Sequence, residues 1–301
     1  MIVSTYSEDR LQSVLDCLES LKTQTLLPKD ILLALDPREE LIEFYKDHLP
    51  SEVKIVTSDG YGLSNARNAG VKNAKCEVVA FIDDDATADK HWLENLVKNF
   101  DDSTVVGVGG NVTPVWNKSR PGFFPEELNW LVGCSYTGLP KSKADIRNPI
   151  GCNMSFRKDV FQAVGYFKDS IGRNTKSLIS GEETDFSIRV LEKFLGSRIV
   201  YDPSAIVFHK VAKTRTSFRY LVRRSYFEGF SIALIVNSVK TKTMKIMSVE
   251  NDYLKYLATV SVPIRLRKAY ELENLQQLLA LTSSMFSVAV GYIIGRLETG
   301  A

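Results

Sequence analysis

The chain is poor in the residues that build zinc sites and disulfide frameworks. Its 301 residues include only 3 histidines and 4 cysteines. The cysteines form no CxxC pair and no Cys/His cluster along the sequence, and they stand at Cys17, Cys76, Cys134 and Cys152. With this scattered placement we expect buried free thiols in a reducing compartment, and neither zinc ligands nor disulfides. The chain opens directly on strand-like residues, so no signal peptide is expected.

A dinucleotide fingerprint is also missing. The glycines between Gly107 and Gly110 lack the G-x-G-x-x-G order, and the residues after them read as extended where a helix should follow. These glycines predict either a close backbone approach to a ligand or room for a neighbouring strand, and the sequence favours neither.

The charges are unevenly distributed, although their sum is close to zero. The composition, 44% hydrophobic and 25% charged with a net charge of +2, is that of an ordinary globular protein. From Lys210 to Lys268, however, basic residues far outnumber acidic ones. Such asymmetry indicates that the C-terminal third lies next to a nucleic acid or an anionic membrane surface.

Strand-like and helix-like segments alternate through the first hundred residues. The spacing of apolar residues predicts a strand over 2–6, a helix over 9–24, a strand over 31–35, a helix over 39–48, a strand over 53–56, a helix over 63–74 and a strand over 78–82. This order predicts a parallel sheet covered by helices, with ligands bound beyond the carboxyl ends of the strands.

Three carboxylates end the last of these strands. Val78–Ile82 is followed by Asp83, Asp84 and Asp85, and desolvating even one unpaired carboxylate costs several kcal/mol. A divalent cation that keeps coordination positions free for a diphosphate would explain the triplet. The alternative is that the aspartates cap a helix predicted over 89–100.

Further polar residues are predicted at the same edge. Asp36 ends the second strand, where it is either a turn residue before Pro37 or a hydrogen-bond acceptor for a nucleobase or ribose. Arg67 lies in the helix over 63–74, where its guanidinium suits a diphosphate or fixes neighbouring carboxylates. His209 follows the apolar strand 205–208, where it is either a packed or exposed structural residue or a partner for Mn²⁺ or a phosphate oxygen.

Six motifs in order carry a family resemblance: a strand ending at Asp36, GLSNARNAG (62–70), FIDDDA (81–86), GCNMSFRKDVFQAVGYF (151–167), GEETDF (181–186) and RIVYDPSAIVFHK (198–210). Together they resemble the family 2 glycosyltransferases of the GT-A fold. FFPEELNWLVG (123–133) and RNPIGCNMSFRKDVF (147–161) are similar to the archaeal branch of glucosyl-dolichyl-phosphate glucuronosyltransferases of N-glycosylation. The resemblance implies a Rossmann-like, mixed and mostly parallel sheet flanked by helices.

The resemblance also implies roles for individual residues. The general base is expected at Glu183, with Glu182 as an orienting partner or the alternative base, because the usual Glu-Asp pair appears here as Glu-Glu. Mn²⁺ or Mg²⁺ would be held by Asp85 and His209. The donor nucleotide would be bound by Thr5, Asp36, Arg67, Asp83 and Asp84. The acceptor region would include Trp130, Asn153 and Asp185.

The implied reaction is a metal-dependent, inverting transfer of glucuronate or another hexose from a UDP-sugar to a polyprenyl-phosphate-linked glycan. A sugar-phosphate nucleotidyltransferase is an alternative, but it should carry a glycine-rich signature near the first strand, where this chain has Ser4-Thr5-Tyr6-Ser7-Glu8. A non-catalytic membrane-bound scaffold is a second alternative.

The sequence divides into a catalytic domain over 1–210 and a basic, helical, membrane-associating extension over 211–301. Apolar residues at helical spacing over 217–234, flanked by Arg219, Arg223 and Arg224, favour an amphipathic helix on an anionic membrane over a helix packed on its own domain. Residues 276–295 carry no charge but many polar groups, so an in-plane or protein-packed helix is expected. A peripheral or monotopic protein at the cytoplasmic face of the cell membrane, with no nucleic-acid partner, is predicted.

Overall fold

The computed structural model describes residues 1–172, 178–238 and 247–299. They belong to two compact units. The first comprises Met1–Thr113, Pro140–Ser177 and Glu182–Lys210, and the second comprises Pro114–Leu139, Leu178–Gly181 and Val211–Ala301. Residues 114–139 thus group with the C-terminal part of the chain, whereas the sequence prediction kept them within 1–210. Of the basic residues of the tail, Lys240, Lys242 and Lys245 lie outside the described residues.

Within the described residues, nine strands form one sheet. They are β1 (Ile2–Thr5), β2 (Ile31–Leu35), β3 (Val53–Thr57), β4 (Val78–Asp83), β5 (Ala86–Ala88), β6 (Val105–Trp116), β7 (Ala144–Ile146), β8 (Asn153–Arg157) and β9 (Arg198–Val211). The strand order is β3-β2-β1-β4-β8-β6-β9-β5, with β7 paired to β9.

Ten α-helices accompany the sheet in the described part of the chain. They are α1 (Leu11–Lys22), α2 (Glu39–His48), α3 (Leu63–Asn73), α4 (Trp92–Val97), α5 (Lys158–Val164), α6 (Glu182–Lys193), α7 (Phe218–Ser238), α8 (Ser248–Tyr256), α9 (Val262–Arg267) and α10 (Leu272–Thr299). Short 3₁₀ helices lie at Glu8–Arg10, Lys98–Asp101, Glu126–Val132 and Lys213–Arg215, and a π-helical turn, Leu257–Ser261, joins α8 to α9.

The sheet is mixed, as predicted, and its two halves differ in direction. The neighbouring strands β3, β2, β1 and β4 are parallel, which is the arrangement that alternating strands and helices produce. The pairs β4–β8, β8–β6, β9–β5 and β9–β7 are antiparallel. Because of the antiparallel pairs, residues from the later segments of the first unit also lie at the edge of the sheet where β1, β2 and β4 end.

An aromatic cluster lies beneath this edge. The rings of Phe161 and Phe186 stack with centroids 4.3 Å apart, and Phe81 packs edge-on against Phe167 at 5.6 Å. Phe81 belongs to β4 and Phe186 to α6, so the strand that ends at Asp83 and the helix that begins at Glu182 share one packed core. Fully buried aromatic side chains of this kind fix the positions of the elements that carry them.

The glycines of β6 make room for neighbouring strands. A Cβ on Gly107 would lie 2.6 Å from the Phe156 ring, and one on Gly110 would lie 2.1 Å from the carbonyl oxygen of Ala205. Real Cβ atoms do not approach this closely, so of the two interpretations left open by the sequence, strand packing accounts for these residues.

In the second unit, α7 and α10 pack along each other at very short range. A Cβ on Gly229 would lie 1.9 Å from the carbonyl oxygen of Val288, and one on Gly291 would lie 1.9 Å from that of Tyr226. Arg224, predicted to flank an exposed apolar stripe, is instead buried and forms a 2.8 Å ion pair with Glu228. By length and composition, Leu272–Glu298 is also apolar enough to cross a membrane, and most of that stretch is not buried.

An ion pair between a buried carboxylate and a partly exposed arginine joins the 3₁₀ helix Glu126–Val132 to α9 within this unit. Nη1 and Nη2 of Arg265 each donate to the Glu127 carboxylate at 2.8 Å, and the Ser261 hydroxyl donates to the same carboxylate at 2.6 Å. Burial acts to raise the pKa of Glu127, but these hydrogen bonds outweigh it and lower the pKa.

Candidate active site

The carboxyl ends of three neighbouring parallel strands form the first part of the site. Thr5 ends β1, Asp83 ends β4 and Asp36 follows β2 directly. The registers place Thr5 beside Leu35 and Ser4 beside Asp83. These three predicted nucleotide-binding residues therefore lie at one edge of the sheet, which is where open α/β sheets bind ligands.

Asp36 is held by the turn that precedes α3. Its Oδ1 accepts a 3.0 Å hydrogen bond from the backbone N–H of Gly62, whose φ of +103° is a conformation that favours glycine. Only 6% of Asp36 is exposed. Burial raises the pKa of the Asp36 carboxyl, and the Gly62 hydrogen bond opposes this effect.

Arg67 connects the strand edge to α6. Its Nη1 donates to Glu182 Oε1 at 2.7 Å, and its Nη2 donates to Asp83 Oδ1 at 3.0 Å and to the carbonyl of Gly151 at 2.9 Å. A guanidinium carries several donors in a fixed plane, so one arginine can join three separate segments. Of the alternatives considered from the sequence, fixing neighbouring carboxylates is what Arg67 does in this structure.

The remaining aspartates of the triplet are joined by Arg10, which the sequence analysis did not identify. Arg10 binds Asp84 through two hydrogen bonds, one of them 2.5 Å from Nε to Oδ2, and its Nη2 lies 2.8 Å from Asp85 Oδ2. Asp84 is buried, and burial raises its pKa to about 6 against the opposing hydrogen bond from Arg10. The role of Asp84 in nucleotide binding stays a prediction.

His209 and Asp85 come together through strand pairing. β9 runs antiparallel to β5, with His209 opposite Ala86, and the Lys210 amide donates to the Asp85 carbonyl at 2.9 Å. His209 Nε2 then lies 3.1 Å from Asp85 Oδ1. The two predicted metal ligands are therefore adjacent.

The donor atoms at this edge fit a divalent cation. One potential ligand atom each from Asp83, Cys152 and His209 lie within 4.8 Å of one another, and Asp85 faces the same imidazole. Carboxylate and imidazole groups suit Mn²⁺, and carboxylates suit Mg²⁺. Cys152 was expected to be an ordinary buried thiol, and nothing in its sequence neighbourhood indicates its position next to Asp83 and His209.

The three acidic residues at the start of α6 have different surroundings. Glu182 is buried against Arg67, and the neighbouring Glu183 is partly exposed in the same first turn, where the helix dipole favours carboxylates. Asp185 is buried and pairs with Lys168 at 2.6 Å and with Arg189 at 2.8 Å. Asp185 thus stabilises local structure, and its role toward the acceptor stays a prediction.

The other two predicted acceptor residues also make defined contacts. Asn153 is fully buried, accepts a 2.8 Å hydrogen bond from Trp92 Nε1 and donates to the carbonyls of Asn111 and Ala205, both at 2.9 Å. Trp130 belongs to the second unit, where its Nε1 donates to Tyr253 Oη at 3.2 Å. Asn153 joins strands within the sheet, and acceptor binding by either residue stays a prediction.

Known proteins share this fold. The chain is similar over 99% of its length to a crystal structure of Staphylococcus aureus TarS 1–349 in complex with UDP-GlcNAc, of which it covers 88%, with a TM-score of 0.53 at 14% identity. A crystal structure of GalNAc-T7 with UDP, GalNAc and Mn²⁺ matches 87% of this chain and 56% of its own, with a TM-score of 0.51 at 14% identity. These similarities confirm the predicted GT-A-like fold.

Sequence comparisons identify the family. The glucosyl-dolichyl phosphate glucuronosyltransferase of Haloferax volcanii is 35% identical over 304 aligned residues, which cover 99% of this chain and 96% of that protein. The model of glycosyl transferase family 2 matches residues 1–165. The chain is therefore a glycosyltransferase and belongs to glycosyl transferase family 2.

Proposed function

We propose that this glycosyltransferase is inverting and metal-dependent, and that it transfers glucuronate or another hexose from a UDP-sugar to a polyprenyl- or dolichyl-phosphate-linked glycan. One observation carries the proposal. Arg67 donates hydrogen bonds to both Asp83 and Glu182. Asp83 is a predicted ligand of the donor nucleotide, and Glu182 neighbours the predicted general base, so one buried arginine joins the two parts of the site. The similarity to the Haloferax volcanii glucuronosyltransferase along nearly its whole length supports the donor and acceptor classes.

The donor nucleotide binds at the strand edge formed by Thr5, Asp36 and Asp83. The Asp36 carboxylate has one hydrogen bond, from the Gly62 amide, and carboxylate oxygens accept several, so it can also accept from a uracil or ribose. Asp83, held by Arg67, is partly exposed and faces the ribose or the diphosphate.

Asp83, Asp85 and His209 would hold Mn²⁺ or Mg²⁺. When bound, the cation supplies charge neutralisation for the departing diphosphate. Arg10 keeps the Asp85 carboxylate in position by contacting its Oδ2, while Oδ1 faces His209. Orientation of ligands by neighbouring groups is a general requirement of metal sites.

Glu183 is the general base in this proposal. The ion pair with the buried guanidinium of Arg67 holds the Glu182 carboxylate in place, whereas Glu183 is partly exposed. The proton of the acceptor hydroxyl passes to Glu183 as its oxygen forms a bond to the anomeric carbon. The bond from that carbon to the diphosphate oxygen breaks in the same step, so the configuration inverts.

The second unit would hold the protein at the cytoplasmic face of the membrane as a peripheral or monotopic protein. Its large exposed apolar side chains include Leu254, Val260, Ile264, Leu266, Tyr270, Leu272, Leu275, Leu279, Phe286, Ile293 and Leu297. The basic residues Arg267 and Lys268 are exposed beside them. Apolar surface with adjacent basic groups favours an anionic lipid surface.

The experiment is a donor and acceptor screen. Purified protein with Mn²⁺ is incubated with UDP-glucuronate, UDP-glucose or UDP-GlcNAc and a synthetic polyprenyl-phosphate glucoside, and UDP release is measured together with acceptor conversion. We expect UDP release that depends on acceptor and metal, with a product whose anomeric configuration, determined by NMR, is opposite to that of the donor. Retained configuration contradicts the inverting mechanism, UDP release that does not depend on the metal contradicts the metal dependence, and no conversion of the polyprenyl-phosphate glucoside contradicts the proposed acceptor class.

A further inference from the structure

The thiol of Cys152 belongs to a cluster with two other potential metal ligands. Its potential ligand atom and those of Asp83 and His209 all lie within 4.8 Å of one another. Cys152 and His209 are 3% and 2% exposed. The three residues come from the end of β4, the turn before β8 and the strand β9. A sulfur, a nitrogen and an oxygen donor thus converge from three segments that are far apart in the sequence.

The chemistry of this set differs from that of a site for hard cations. Mg²⁺ and Mn²⁺ prefer oxygen ligands with some imidazole, whereas thiolate, imidazole and carboxylate together are the ligands that Zn²⁺ takes. We propose that Asp83, Cys152 and His209 form a site for a thiophilic divalent cation, Zn²⁺ or Cd²⁺, which overlaps the position expected for Mn²⁺ or Mg²⁺. A bound thiophilic cation therefore excludes the hard cation from the same carboxylate and imidazole.

Only small side-chain movements are needed to bring the three ligand atoms to the spacing of a zinc site. Ligand atoms of a tetrahedral zinc site lie roughly 3.5 Å apart, given metal–ligand distances of about 2.0 to 2.3 Å. From separations of up to 4.8 Å, side-chain rotations that move each ligand atom by about 1 Å are enough. Asp85 can supply the fourth ligand, because its carboxylate faces the same imidazole at 3.1 Å.

The test measures cation binding without nucleotide, so it does not depend on the proposed reaction. The purified full chain is titrated with Cd²⁺, and the ultraviolet charge-transfer absorbance of a cadmium–thiolate bond is recorded; Zn²⁺ affinity is measured by calorimetry. We expect one equivalent of Cd²⁺ to produce the band. Cys152→Ala should abolish it and weaken Zn²⁺ binding by at least about 100-fold, since even residues that only orient ligands contribute about 10- to 100-fold.

Cys76→Ala is the matched control, because Cys76 is partly exposed, precedes β4 and lies outside the cluster. This variant should keep both the band and the affinity. His209→Gln is a second variant that leaves every thiol in place, and it should also weaken Zn²⁺ binding at least about 10-fold. Circular dichroism verifies that each variant is folded.

Either of two results overturns the proposal: a wild-type protein that shows no thiolate band with Cd²⁺, or a folded Cys152→Ala variant that keeps the band at full strength. Unchanged Zn²⁺ affinity in folded His209→Gln does the same. If Cd²⁺ and Zn²⁺ bind as expected but no UDP-sugar is turned over, the cation site stands and only the proposed function fails.

Discussion

The guanidinium of Arg67 and the carboxylate of Glu182 form an ion pair with 2.7 Å between Nη1 and Oε1. Both partners are buried, since only 3% of the Arg67 side chain and 4% of the Glu182 side chain are exposed. Removing one partner of such a pair leaves an uncompensated charge in a medium of low dielectric. The pair therefore has consequences for stability as well as for the site.

Arg67→Met should destabilise the protein by about 3 to 5 kcal/mol, because it leaves Glu182 and Asp83 without their shared partner. Chemical denaturation measures this loss. The matched control is Lys72→Met on the same helix, whose ion pair with Asp59 is largely exposed; it should cost less than about 1 kcal/mol. Equal losses in the two variants would show that the buried pair has no special role.

Glu183→Gln should lower transfer by at least about 100-fold, the lower end of what a general base contributes, while the affinity for UDP in the presence of Mn²⁺ stays within about twofold. Single-turnover assays and calorimetry separate the two effects. Glu182→Gln should instead destabilise the fold, because it removes the charge that faces Arg67. Full turnover by Glu183→Gln would assign the base to Glu182.

Asp85→Asn should weaken metal-dependent donor binding and leave metal-independent binding of the nucleotide unchanged. The substitution keeps the shape of the side chain but removes the charge between Arg10 and His209. UDP affinity is measured with Mn²⁺ and again after chelation with EDTA. Wild-type affinity should fall at least about 10-fold on chelation, and the variant should show little further loss. A wild-type protein that binds UDP equally well with and without Mn²⁺ contradicts a metal-dependent site.

The Glu127–Arg265 pair predicts a pH dependence of stability. The pKa of Glu127 is lowered in the folded state, so its contribution is fully present above its unfolded pKa, near 4.5, and is lost as the pH falls through the lower folded value. Arg265→Met should cost about 3 kcal/mol at neutral pH and less at acidic pH, because protonation of Glu127 removes the unpaired charge. Denaturation curves at several pH values provide the measurement, and a cost that is independent of pH would falsify the assignment.

Gly229→Ala should destabilise the second unit by about 1 to 3 kcal/mol, as overpacking does elsewhere, because the added Cβ would lie 1.9 Å from the Val288 carbonyl oxygen. Gly122→Ala is the control, since its Cβ would meet Gln276 at an ordinary 3.8 Å. Thermal unfolding of both variants compares them directly. Identical midpoints would mean that α7 and α10 do not pack as closely as described.

Much of the parallel half of the sheet could be predicted from the sequence. The predicted strand over 31–35 and helix over 39–48 have the observed bounds, since apolar periodicity reports local structure directly. The carboxyl edge followed from strand direction, so Asp36 and Asp83 were predicted to lie together. The role of His209 as a metal ligand was predicted from the family resemblance.

The remaining features depend on contacts between distant segments. Periodicity carries no information on which strand joins β4 on its far side, so the antiparallel pairing with β8 was not predicted. Arg10 follows the first strand in a charged segment that is typical of an exposed surface. Its hydrogen bond to Asp84 depends on the tertiary fold and could not be predicted from the local sequence. Arg224 was predicted to face a membrane; its i,i+4 spacing to Glu228 is compatible with the observed ion pair, but helical periodicity does not reveal that Arg224 is buried within the unit.

The pairing of β5 with β9 has an evolutionary consequence. β5 has only three residues, Ala86–Ala88, and it fixes His209 opposite Ala86. Because alternate residues of a strand point to opposite faces, inserting or deleting one residue in β9 before His209 would turn the imidazole away from Asp85 and bring a neighbouring side chain into its place. Substitutions along β9 leave this register unchanged. An insertion or deletion before His209 would keep the histidine in the sequence but remove its imidazole from the site.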